Sequence, residues 1–174
     1  MHRSLIGLVR DTLVREYGSE LWDALANAPT AKPEVVPSDA LACWLGQMAV
    51  PALSDTYPTL FARHRDLGSF INGLGDEIPA ADSPGALETV PLSFRSVTDP
   101  DGQILLRIQA DCSICALVQG VIAGAAVHYG EAVTIREIKS RKRGDNACVL
   151  QIEVTGDART PESGAGEYLA VGTA

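Results

Sequence analysis

Apolar residues recur at three- and four-residue steps from the start of the chain. Leu5, Leu8, Val9, Leu13, Tyr17, Leu21, Trp22 and Leu25 form one such series, so residues 4–26 are expected to be an amphipathic helix, with Gly18 as the point where it divides in two. Residues 27–37 carry three prolines and predict a connector. Ser38 and Asp39 are cap residues for a second helix with Leu41, Trp44, Leu45 and Met48, and Pro51 is expected to open a third segment. Tyr57-Pro58 predicts a break, and residues 60–71 a further helix. Residues 73–83 read as loop.

Beyond Pro91 the period changes to two. Leu92, Phe94 and Val97 predict a strand, Asp99-Pro100-Asp101-Gly102 a turn, and residues 104–109 the returning strand. Residues 114–129 form the most apolar helix, with Gly120 and Gly124 on one face. Close packing of that face on the sheet is the expected reason. Residues 132–138 and 148–154 predict a second hairpin around a turn at 141–146. The fold class is therefore α+β: an N-terminal helical lobe, then a C-terminal antiparallel sheet packed on a long apolar helix. One domain is expected over 1–155 (helical lobe 1–78, α/β lobe 90–155), followed by a Gly- and Ala-rich flexible tail over 156–174.

Composition narrows the function classes. The chain has 174 residues, 46% hydrophobic and 21% charged, enough to bury a core. A net charge of −8 repels phosphate backbones, so nucleic acid is not an expected partner. The basic run from Lys139 to Arg143 reads as a solvated turn. No apolar stretch reaches the length of a signal peptide or membrane span, which predicts a cytoplasmic protein without membrane contact and with reduced cysteines. No nucleophile elbow, phosphate loop or HExxH is present, so no enzyme activity is expected. With only 5% aromatic residues, Trp22, Trp44, Phe61, Phe70, Phe94 and Tyr129 are expected in the core. His2, His64 and His128 are expected at the surface or in packing roles.

Three stretches carry a family resemblance: GLVRDTLVREYGSELWDAL at 7–25, YPTLFARHRDLGSFINGL at 57–74, and CALVQGVIAGAAVHYGEAVTI at 115–135 followed by RGDNACVLQIEV at 143–154. In order and spacing the chain resembles the heme–nitric oxide/oxygen binding (H-NOX) domains. More distantly, its third stretch resembles the 4-vinyl reductase domain. The resemblance implies a bacterial sensory module whose partner is a signalling protein such as a histidine kinase, a cyclic-dinucleotide enzyme or a chemoreceptor. It also implies heme, held by a proximal histidine and by a Tyr-x-Ser-x-Arg clamp on the propionates. Carried onto this sequence, the iron-ligand position falls on Ile78, and the clamp positions fall on Ile108, Ala110 and Cys112. None has the family's side chain, and the connector is too short for the helices that complete the family's distal wall. Heme is therefore not expected, and no other cofactor is implied. A pocket, if kept, is expected beside Phe70, Leu74 and Phe94 as well as Ile78, Ile108 and Ala110, either open to a small apolar ligand or filled as core. Two alternatives remain: a heme gas sensor using Cys112 or His64 as the iron ligand, and a thiol or zinc switch using Cys112, Cys115 and Cys148, the first two of which form a CxxC. The resemblance places zinc positions on Cys115, Cys148, Glu137 and Ser140. Two thiols leave that metal site incomplete, and buried packing is the alternative role for both cysteines.

Overall fold

The computed structural model describes residues 5–26, 39–74, 93–109 and 112–157. Helices α1 (Leu5–Tyr17) and α2 (Ser19–Ala26) meet at Gly18, whose φ of 89° is open to a residue without Cβ and whose amide reaches the Val14 carbonyl at 3.0 Å. Leu8, Val9, Thr12 and Leu13 share the buried face of α1.

Helix α3 (Asp39–Thr56) runs unbroken through Pro51, where a new segment was expected. A proline inside a helix leaves the carbonyl four residues earlier without its donor. Here that carbonyl belongs to Gln47 and lies against Gly124 of α6 (Cys112–Tyr129): a Cβ built on Gly124 would sit 2.9 Å from its oxygen. Helix α4 (Pro58–Ala62) begins at the expected Tyr57-Pro58 break.

The single helix expected over 60–71 is instead two, because α5 (Leu67–Gly73) has a start signal of its own. The Asp66 carboxylate accepts from the Ser69 amide at 2.7 Å, and the Asp66 amide donates to the Ser69 hydroxyl at 3.2 Å, forming a capping box. The Leu67 amide donates to Glu131 at 2.7 Å. The Ser69 amide, helped by the Ser69 hydroxyl and Arg65, holds the Asp66 carboxyl below the usual carboxylate range against a smaller effect of burial. A depressed folded pKa contributes stability above the ordinary carboxylate range and loses it as pH falls through the folded value. Asp66→Ala is expected to cost about 1 kcal/mol at neutral pH. That difference from the parent should shrink below about pH 4, as read by urea melts across pH.

Strands β1 (Ser93–Thr98), β2 (Ile104–Gln109), β3 (Glu131–Lys139) and β4 (Cys148–Asp157) form one antiparallel sheet in the order β1-β2-β4-β3. The first hairpin closes on Asp99, whose carboxylate accepts from the amides of Asp101 (3.0 Å) and Gln103 (2.8 Å). Strand β4 runs through Gly156 and Asp157, two residues into the expected tail. Residues 158–174 lie outside those described. Phe94, Ile104, Leu106, Ile108, Cys148, Leu150 and Ile152 form the sheet's buried face, on which α6 packs.

The opposite side of α6 carries Gly120 and Gly124 into contact with α3, which presents its own Gly46 to α6. A Cβ on Gly120 would sit 1.8 Å from the Cys43 carbonyl oxygen, and one on Gly46 would sit 2.1 Å from the Leu117 carbonyl oxygen. The glycine face therefore serves a backbone-to-backbone crossing of two helices, not the helix-to-sheet packing expected from sequence. Apart from the half-buried Gln119, helix α6 is buried from Ile114 to Ala126 because it lies between α3 and the sheet.

Candidate ligand pocket and what fills it

Four of the six expected pocket residues lie in the buried core. Phe70 and Leu74 come from the α5 segment, Phe94 from β1 and Ile108 from β2. Their relative exposures are 1%, 2%, 9% and 0%, and all four belong to one continuous apolar core. Phe94 and Ile108 face each other directly across the β1–β2 ladder, and Ile108 is also opposite Cys148. Ile78 and Ala110 lie outside the described residues. Cys112 opens α6, but its side chain is not among those described.

Phe70 is held by an aromatic cluster that the sequence did not disclose. Its ring stacks on Phe61 at 5.4 Å and 11°, lies 6.0 Å from Tyr129, and meets the edge of His64 at 5.6 Å. The Tyr129 hydroxyl donates to the Phe61 carbonyl at 3.0 Å, tying the end of α6 to α4. His128 lies 4.6 Å from Phe61 on the exposed side. His64 presses on Gly73, where a Cβ would come within 2.4 Å of its ring. Both histidines take the packing or surface roles expected of them. Trp44 departs from expectation: it is 48% exposed on α3, whereas Trp22 is buried.

Holding heme propionates requires hydroxyl donors and a guanidinium facing the pocket. The guanidinium groups on the two nearest strands are Arg95 and Arg107, and both stand on the outer face, out of phase with Phe94 and Ile108. The buried face offers hydrocarbon at Phe94, Ile108 and Leu106. On β1 and β2 the described inward-facing side chains therefore offer no donor to a carboxylate. Among the described residues two polar atoms are buried without a hydrogen-bond partner, Thr12 Oγ1 on α1 and Trp22 Nε1 on α2.

The thiols of Cys115 and Cys148 are both buried, as packing predicts. They also meet. A hydrogen bond from Cys115, with the Arg141 amide adding to it, holds the Cys148 thiol below its ordinary range, while burial and the nearby Glu137 carboxylate oppose that shift. Ser140 is also buried, and its amide donates to the Asp145 carboxylate at 2.9 Å. Among the described residues no group of three or more His, Cys, Asp or Glu side chains is arranged to hold a metal ion. None of the described helices is long and apolar enough to cross a membrane.

A helical lobe followed by a hairpin, a buried helix and a second hairpin in one antiparallel sheet is an α+β architecture. It is the fold of the H-NOX domains. The crystal structure of an H-NOX protein from S. oneidensis in the Fe(II)NO ligation state matches with a TM-score of 0.61 at 19% identity, over 87% of this chain and 97% of that one. An oxygen-binding H-NOX domain related to soluble guanylate cyclases, in its oxygen complex, matches with a TM-score of 0.59 at 14% identity, over 94% of this chain and 100% of that one. The solution structure of the Shewanella oneidensis domain in the Fe(II)CO state matches with a TM-score of 0.58 at 19% identity, over 90% of this chain and 100% of that one. No protein-family model and no curated protein matches the sequence.

Proposed function

We propose that this chain is an H-NOX-type sensory or regulatory domain of a bacterial signalling pathway that does not hold heme in the family's way. It acts through contacts with a signalling protein, such as a histidine kinase, a cyclic-dinucleotide enzyme or a chemoreceptor, or through a small apolar ligand. It is a single cytoplasmic domain without catalytic activity of its own. The observation that carries this reading is Ile108. The resemblance assigns it to the first clamp position, where a propionate would need a hydroxyl, and it is fully buried opposite Phe94. Ile78 at the ligand position, and Ala110 and Cys112 at the other clamp positions, support the same reading from sequence. Protein purified from heme-supplemented cells is expected to show no Soret band. A band at one heme per chain would replace this reading with that of a heme sensor using an atypical ligand.

The meeting of Cys115 and Cys148 favours one second reading, a thiol or zinc switch. Stoichiometric zinc in the purified protein, or a redox-dependent mobility shift lost in Cys115→Ser, would establish it. Absence of both would remove it.

A further inference from the structure

The sheet has a second face, turned away from α6, and its charge runs against that of the whole chain. The ladder registers align its residues in rows across all four strands. One row reads Arg95, Arg107, Val149, Lys139, and the next reads Val97, Leu105, Gln151, Arg136. A third pairs Glu153 with Thr134. Four cations and one carboxylate stand in these rows, on a chain whose net charge is −8. Arg95 and Arg107 are direct cross-strand partners, an arrangement that repels. Both are exposed, and neither they nor Arg136 nor Lys139 pairs with an acidic side chain among the described residues. Between the cations lie apolar side chains that a solvated face does not need: Val97 is 59% exposed and Leu105 is 36% exposed, side by side in the ladder.

We infer that this face is the docking surface for an acidic, amphipathic segment of a partner protein. Its carboxylates bridge Arg95 and Arg107, and its aliphatic side chains cover Val97 and Leu105. Guanidinium groups fit carboxylates through paired N–H donors, so one partner acid between the two arginines turns their repulsion into two charge-assisted contacts. The rows hold no aromatic side chain on which a base could stack, which disfavours single-stranded nucleic acid. The overall negative charge opposes approach to a uniformly anionic membrane, whereas a locally acidic protein segment meets only the basic face. The inference rests on the reading of this chain as a protein-contact module. It is independent of the heme question, so its test leaves heme out.

The test uses the full chain and a fluorescently labelled helical peptide built of Glu and Leu, with binding read by anisotropy at low salt. Arg95→Glu/Arg107→Glu should weaken binding at least about tenfold. Arg15→Glu/Arg65→Glu, the same charge change placed on other elements, should leave it within about threefold. Arg107→Glu alone sets a carboxylate opposite Arg95 and should raise Tm by roughly 1–4 °C while weakening the peptide, which separates lost docking from lost folding. The inference is overturned by no binding to the parent chain, by equal weakening in the two double variants, or by a fall in Tm for Arg107→Glu. Tighter binding of a single-stranded RNA or of phosphatidylserine vesicles than of the peptide overturns it as well. So does a parent dimer that the face variant dissolves, since the occupant would then be a second copy.

Discussion

Gly120→Ala is expected to destabilise the protein by at least about 3 kcal/mol, and Gly120→Val to prevent accumulation of folded protein. The new Cβ would lie 1.8 Å from the Cys43 carbonyl oxygen, 2.7 Å from its carbon and 2.9 Å from the Gln47 amide nitrogen. All three are backbone atoms of α3, so no side chain can rotate aside. The helices must separate, and the buried surface between them opens along its length. Gly102→Ala is the control. Its φ is +83° and nothing lies within 4 Å of the added carbon, so the expected cost is that of a strained turn alone, about 1 kcal/mol. Urea melts of the two alanine variants beside the parent distinguish a steric crossing from a merely flexible glycine. Equal losses would mean that the α3–α6 approach is looser than described.

Phe70→Ala is expected to cost about 3–5 kcal/mol. Phe70 is the pocket position with the most aromatic contacts, stacked on Phe61 and flanked by Tyr129 and His64. A filled core must either collapse onto the lost ring or keep a cavity, and both Phe61 and Tyr129 are held in place by the bond between the Tyr129 hydroxyl and the Phe61 carbonyl. If Phe70 instead lined an open ligand pocket, the loss would fall nearer the transfer term for one partly wetted ring, at or below about 2 kcal/mol. The size of the loss therefore reports whether the family's pocket has become core in this chain.

Features set by local chemistry were legible in the sequence. Gly18 ends α1, Tyr57-Pro58 separates α3 from α4, and Asp99 closes the first hairpin, each through bonds within a few residues. Features set by distant partners were not. Pro51 signals a break only while its helix is considered alone; α6 lies against the freed Gln47 carbonyl and the helix continues. Gly120 and Gly124 announce a close approach, but a helical period cannot say whether a sheet or a helix approaches. Asp66 was legible in principle as a cap residue with Ser69 three positions on, yet apolar residues on both sides of it, at 60, 61, 67, 70 and 71, keep helical spacing and suggest one continuous helix. Scarcity of aromatics placed Phe61, Phe70, Phe94 and Trp22 inside correctly and misplaced Trp44, because counting says nothing about which face of α3 is covered.

Of the candidate site, the family resemblance pointed to Phe70, Leu74, Phe94 and Ile108, and the structure places all four in the buried core. Their aromatic support did not follow, since Phe61 and Tyr129 are far apart in sequence and meet only in the folded chain, through a ring contact and a hydrogen bond. The basic outer face was also hidden. Arg95, Arg107, Arg136 and Lys139 are scattered along the chain, and only the strand register aligns them.

The most direct test of the central claim is to add hemin to the purified full chain and record the visible spectrum before and after desalting, then again with nitric oxide. A filled pocket with hydrocarbon at the clamp should release the hemin on desalting and leave nothing for nitric oxide to shift. A Soret band that persists at one heme per chain and moves with nitric oxide would contradict the account and turn attention to Cys112 and His64 as iron ligands.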